Sequence, residues 1–281
     1  MSYFHSDPAR ANQKSNVRCV AVANQKGGVG KTTTCVNLAA ALADMKNRVL
    51  LVDLDPQGNA TVGCGVNARI LKRSAYDVLI GDASVRQARQ SLEPFGFDLL
   101  PSNGDLTAAE IRLMHREGRE FALKEALAKV VHDYDWIIID CPPSLNILTL
   151  NALAAADSVL IPMQCEYYAL EGLSALLDTV EQVRASVNPD LEIEGLLRTM
   201  YDVRNNLSSA VSDQLTENFG DRVYRTLVPR NVRIAEAPSY GQPVTRYDPT
   251  SKGALAYLGL AGEMMRRASQ RADGEAGHRS N

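Results

Sequence analysis

The 281-residue chain is 45% apolar and 22% charged, with a formal net charge of −3. That composition excludes a chain that stays unfolded, since there is ample apolar mass to bury, and no run approaches the roughly 18 apolar residues of a membrane span. Five cysteines (Cys19, Cys35, Cys64, Cys141, Cys165) are odd in number and scattered. They match neither a disulfide framework nor a zinc site and point to a reducing cytoplasm.

Residues 1–16 read as a disordered leader without a signal-peptide core, and residues 271–281 as a disordered tail. Between them, over 17–270, short apolar runs alternate with longer amphipathic stretches, without repeat or linker. This is the pattern of one α/β domain with a doubly wound, mostly parallel sheet and helices on both faces. A first strand is expected over Val17–Ala23. It runs into Lys26-Gly27-Gly28-Val29-Gly30-Lys31-Thr32-Thr33, and a helix over Lys31–Asp44 follows at once. Glycines let backbone N–H groups curl around an anion, and the helix N-terminus adds its positive dipole end. In such a loop Lys31 reaches the β- and γ-phosphates of a nucleotide and the Thr32 hydroxyl ligates Mg²⁺. The strict G-x-x-x-x-G-K-[ST] form is absent, because Gln25 stands where its first glycine belongs. A dinucleotide G-x-G-x-x-G is absent too, with Thr33 in the last place. What distinguishes the loop is an additional lysine, Lys26, ahead of Lys31.

The second strand, Arg48–Asp53, leads into Asp53-Leu54-Asp55-Pro56-Gln57. Carboxylates at a strand's C-terminal end beside a phosphate loop can orient water or a metal shell. The plainer reading is a pair of turn-forming aspartates before a proline. Strand Asp98–Pro101 and helices Leu106–Arg116 and Glu120–Val131 come next. The fourth strand, Trp136–Asp140, is apolar throughout and ends in an acid, as strands covered on both faces and bordering a phosphate site do. Asp140 is the candidate to hold Mg²⁺ through water. Helix Asn146–Ala155, strand Ser158–Met163, helix Glu171–Val187, strand Ile193–Met200, helix Ser208–Phe219, strand Arg222–Val228 and helix Lys252–Ala268 complete the pattern. From Leu196 to Arg267 ten basic residues face seven acidic ones, net +3, against −6 for the rest. On charge alone that is a solvated face.

The K-G-G-V-G-K-T-T loop resembles the deviant Walker A motif of the ParA/MinD ATPases, a P-loop NTPase family that also includes the nitrogenase iron protein. The resemblance runs from about Val17 to Ala268. It implies an ATP- and Mg²⁺-dependent ATPase that forms a homodimer on ATP binding, with Lys26 reaching the partner subunit's phosphates in trans and Lys26, Gly27, Gly28, Val29, Gly30, Lys31, Thr32 and Thr33 around the nucleotide. Asp55 matches the residue that positions the attacking water, and Asp53 one that organises the switch. Later segments resemble the ParA/Soj partition branch: Ile161 to Gly172, Thr199-Met200-Tyr201-Asp202, Val228 to Arg233 and Glu236 to Gly241. In that branch Pro229 and Asn231 fall at the adenine, and Arg204 and Arg233 match arginines that bind DNA non-specifically. The implied protein is cytoplasmic and nucleoid-associated, and a ParB-like centromere-binding partner stimulates its hydrolysis. The short leader matches the form without an additional N-terminal DNA-binding domain.

Alternatives within the family are a MinD-like membrane ATPase, an ATPase positioning another cargo, and an iron–sulfur reductase using Cys64 and Cys141. The last helix is Ala/Gly-rich and reads as packed on the domain, without the large apolar face of a membrane-seeking helix.

Overall fold

The computed structural model describes residues 17–167 and 169–278; the expected leader lies outside them. The first half of the chain contributes β1 (Arg18–Val22), α1 (Lys31–Asp44), β2 (Val49–Asp53), α2 (Asn59–Gly63), α3 (Ala75–Ile80), α4 (Val85–Ala88), β3 (Gln90–Leu92) and β4 (Phe97–Leu100). The middle adds α5 (Leu106–Leu113), α6 (Ala122–Leu127), β5 (Trp136–Asp140), α7 (Ile147–Ala155), β6 (Ser158–Gln164) and α8 (Ala169–Ser186). The last part is β7 (Glu192–Thr199), α9 (Asn206–Phe219), α10 (Val232–Glu236), α11 (Val244–Tyr247) and α12 (Lys252–His278).

The seven strands lie in the order β3-β4-β2-β5-β1-β6-β7. All neighbours run parallel except β3 against β4. Successive side chains of a strand point to opposite faces, so each central strand feeds two cores. Val20, Val22, Leu51 and Ile138 face α1 and α12, while Ala21, Leu50, Val52, Ile137 and Ile139 face α3 and α5 to α9. Burial on both sides explains why these strands read as continuous apolar runs. This is the expected doubly wound sheet with helices on both faces. α12 packs as expected, burying Ala254, Tyr257, Leu260, Ala261 and Met264. Its Gly253 admits the side chain of Ile234, which lies where a Cβ would stand.

Two expectations are corrected. Arg222–Val228 is not a strand: it touches β7 only through the isolated bridge Leu196–Val223, and a further bridge joins Tyr201 to Pro229. The reason is that the Glu263 carboxylate takes the amides of Arg225 and Thr226, at 2.9 and 2.8 Å, that a ladder would need. The chain end is not a free tail from residue 271, since α12 continues to His278 and Arg271 pairs with the buried Glu194. The antiparallel edge strand β3 was not anticipated, nor were the short helices α2, α3, α4, α10 and α11.

Topology sets the place of the site. β1 lies between β5 and β6, and α1 leaves β1 at the point where the sheet's order reverses, the crevice in which α/β sheets bind ligands. Register puts Val22 beside Asp140 and Asp53 beside Asp140, so two acids end neighbouring strands next to the loop.

Candidate functional site

Between β1 and α1 the chain turns through Gly28 and Gly30, both with positive φ (75° and 87°), a conformation open to glycine at no steric cost. A Cβ at Gly27 or Gly28 would meet nothing within 4 Å, so the loop is an open cradle of backbone. Gly30 caps α1 without any side-chain hydrogen bond, leaving first-turn amides unsatisfied and free for an anion. The loop is tied down from behind. The Thr199 hydroxyl donates to the Val29 carbonyl at 2.7 Å, the Gln164 amide donates to the Gly28 carbonyl at 3.0 Å, and the Asn24 side chain donates to the Pro162 carbonyl at 2.8 Å.

Beneath the cradle lies a cluster of charge. Lys31 is 7% exposed, and its ammonium donates to the Lys26 carbonyl at 3.1 Å. Burial pulls the Lys31 pKa below its ordinary value, and nearby Asp140 opposes that most strongly. Asp140 is fully buried, and burial pushes its pKa up to about 8, with the Asp53 charge adding to the rise and the Thr32 hydroxyl and Cys35 thiol pulling the other way. Its Oδ1 accepts from the Cys35 thiol at 3.5 Å, whereas its Oδ2 has no partner. A buried carboxylate oxygen without a donor is costly, and it fits a hydrated cation placed next to Thr32. Among the described residues no three His, Cys, Asp or Glu side chains form a metal cage. Mg²⁺ needs none, because it keeps several waters and takes one or two protein oxygens besides phosphates.

The switch after β2 is built on Asp53. Its Oδ2 accepts the Thr61 amide at 2.8 Å and the Thr61 hydroxyl at 2.7 Å, and its Oδ1 accepts the Asp55 amide at 3.1 Å. Burial raises the Asp53 pKa to about 6 against those hydrogen bonds. Asp55, 7% exposed, receives the Gln57 amide on Oδ1, and its own carbonyl accepts the Ser102 hydroxyl at 2.6 Å. Asp53 therefore acts as scaffold and Asp55 projects at the cleft.

A cleft of about 690 Å³ gathers Gly27, Gly28, Gly30, Lys31, Thr32, Thr33 and Asp55. Asp140 and Val29 lie behind it, both buried. Lys26 is turned away: its exposed ammonium pairs with Glu166, 140 residues on, instead of the loop's own cradle. Pro229 and Asn231 are not part of the lining, and the Asn231 side chain caps α10 by accepting the Arg233 and Ile234 amides. Arg204 and Arg233 lie outside the cleft on the surface, each already paired: Arg204 with Asp202 at 2.9 Å, Arg233 with Glu236 at 2.9 Å and Asp248 at 3.2 Å. Sequence reasoning missed the lining residues Asn59, Pro143, Met200, Pro238 and Gln242. Met200 carries one local mark, a non-glycine φ of 49°, which no sequence pattern announces.

The AAA domain family matches residues 17–193. The sporulation initiation inhibitor protein Soj of Bacillus subtilis is 53% identical over 88% of this chain and 98% of its own length. The chromosome partitioning protein ParA of Caulobacter vibrioides is 49% identical over 91% and 96%. Among solved structures, a Mycobacterium smegmatis protein described as cobyrinic acid a,c-diamide synthase, with bound ADP and magnesium, superposes with a TM-score of 0.79. It is 43% identical, over 90% of this chain and 96% of its own.

Proposed function

The chain belongs to the ParA/Soj family of P-loop NTPases, and on that premise we propose that it is an ATP-dependent DNA-segregation ATPase. The observation that carries the nucleotide chemistry is the unpartnered Asp140 Oδ2 beside buried Lys31, under a loop where a Cβ at Gly27 or Gly28 would meet nothing within 4 Å. The loop amides and the N-terminus of α1 bind the β- and γ-phosphates, and Lys31 adds a fixed positive charge in a dry setting where it counts most. Thr32 supplies a hydroxyl to Mg²⁺ and Asp140 holds its waters. When bound, Mg²⁺ neutralises charge on the phosphate oxygens. Asp55, held at the cleft by Asp53 and Ser102, accepts a hydrogen bond from the attacking water and aligns it with the γ-phosphorus. The water oxygen bonds to the γ-phosphorus as the bond from that phosphorus to the β-phosphate's bridging oxygen breaks, and the water's protons end on the phosphate, giving ADP and inorganic phosphate.

Two ATP-loaded copies form a homodimer across this face. Lys26 leaves Glu166 and reaches the partner subunit's phosphates; the pair is half exposed, so separating it costs at most about 1 kcal/mol. The same argument covers DNA. The Arg204 side chain is 85% exposed, and phosphates displace such surface pairs readily while reading no sequence. Dimerisation doubles a weak patch, and hydrolysis stimulated by a ParB-like partner releases it. The protein acts in the cytoplasm on the nucleoid; no described helix is long and apolar enough to cross a membrane.

Nucleotide binding and phosphate release test the reading. Lys31→Ala abolishes ATP binding, while Asp55→Ala keeps ATP binding and stops hydrolysis. ATP binding that survives Lys31→Ala contradicts the loop assignment, and full turnover in Asp55→Ala moves the water to another residue.

A further inference from the structure

A second concave site lies at the opposite end of the sheet. It opens between the start of β7, the segment 221–225 and the outer face of α12, and encloses about 560 Å³. From Glu194 to Thr199, β7 separates it from the phosphate loop by about 16 Å, at the rise of a parallel strand. Five arginines line it, Arg222, Arg225, Arg266, Arg267 and Arg271, against three acids, Asp221, Glu194 and Glu263.

Two of those acids are already saturated. Glu263 accepts the Arg225 and Thr226 amides and the Arg267 guanidinium at 2.8 Å. Glu194, 1% exposed, accepts the Ser158 and Tyr224 hydroxyls, at 2.9 Å each, and the Arg271 guanidinium. These bonds lock the cleft's walls, and the Arg267 guanidinium carbon lies over the Tyr224 ring, 4.1 Å from its centroid. Arg222, Arg225 and Arg266 are different. They are exposed, and among the residues whose side chains are described no carboxylate comes within ion-pair reach of any of them. Other exposed arginines, Arg69, Arg73, Arg112, Arg119 and Arg230 among them, likewise have no carboxylate partner in the described structure; what sets Arg222, Arg225 and Arg266 apart is that all three line one cleft. In a chain with a net charge of −3, three guanidiniums without an ion partner against one such carboxylate, Asp221, around one cleft form a local positive pole. Guanidinium forks match phosphate oxygens two at a time, and the volume is that of a small-molecule site.

We propose that this cleft is a second anion site, independent of the phosphate loop, that takes a compact ligand carrying two or more phosphate groups. Arg222 and Arg225 come from one wall and Arg266 from the other, so a ligand with more than one phosphate can engage both walls, each guanidinium fork taking its own pair of oxygens.

Calorimetric titration of inorganic tripolyphosphate into the full-length Lys31→Ala protein tests it with the first site silenced. Saturable binding weakens with salt, as for any exposed charge contact, and Kd rises about tenfold for each of Arg222→Ala, Arg225→Ala and Arg266→Ala, the loss expected of one charge-assisted hydrogen bond. Arg→Lys at the same positions keeps the charge, loses the fork and gives an intermediate Kd. The triple Ala variant on the otherwise wild-type chain keeps its ATP affinity, which shows that the fold stands. Absence of binding to Lys31→Ala, or a Kd unmoved by the triple change, overturns the proposal. So does a patch that, across these variants, holds random-sequence duplex DNA but not tripolyphosphate.

Discussion

Replacing Thr61 with valine removes one hydroxyl from the stack that holds both switch aspartates. Thr61 is fully buried; its hydroxyl donates to Asp53 Oδ2 at 2.7 Å and accepts the Ser102 amide at 2.8 Å. Valine fills the same volume, so the change is almost purely polar. The bond to a carboxylate accounts for about 1.5–3 kcal/mol, and the orphaned Ser102 amide adds about 1–3 kcal/mol. The expected loss is therefore about 2.5–6 kcal/mol, large for a point change. In urea unfolding of the nucleotide-free protein, a slope of about 3 kcal/mol/M puts the midpoint about 1–2 M lower at constant slope. Thr61→Ser keeps both hydrogen bonds and loses about 1 kcal/mol for its methyl. A Thr61→Val midpoint no lower than that of Thr61→Ser would mean that the stack carries no energy of its own.

Other outcomes follow from the same geometry. Asp140 and Asp53 are raised to about 8 and about 6, so between ordinary carboxylate values and these the folded state binds protons that the unfolded chain does not. Stability of the nucleotide-free protein accordingly falls as pH rises from about 4 to about 8. Thermal midpoints at three pH values show this fall, and Asp140→Asn flattens its upper part; an unchanged slope in that variant contradicts the assignment. Gly195→Ala puts a Cβ 2.6 Å from the Tyr224 ring and 2.8 Å from the Arg222 carbonyl, and costs about 1–3 kcal/mol by overpacking. Gly172→Ala, with nothing within 4 Å of its Cβ, gains about 0.5–1 kcal/mol on the exposed side of α8. The same urea titration checks both signs.

What was legible in the sequence were features that chemistry ties to near neighbours in the chain. The loop after β1, the acid ending β5 and the Asp53–Asp55 pair announce themselves because strand, turn and helix follow within a few residues. The sheet was legible because central strands buried on both faces must be apolar throughout. β3 was not, since three residues on an edge carry no period. Arg222–Val228 has the look of a strand, but the carboxylate that takes its amides, Glu263, lies about forty residues later. The pairing of Lys26 with Glu166 and of Arg233 with Asp248 was equally invisible, because such partners meet only once the sheet is assembled. Asn231, expected at the adenine, is engaged in capping α10, a local role that its position before a helix could have suggested.

The switch we propose is one in which ATP turns DNA binding on. Binding of the full-length protein to a random-sequence duplex, with ATP, with ADP and without nucleotide, at two salt concentrations, tests it most directly. Binding is expected with ATP alone, falling steeply with salt and abolished by charge reversal at Arg204 and Arg233, with ATP affinity kept. Equal binding in all three nucleotide states, or none in any, contradicts it.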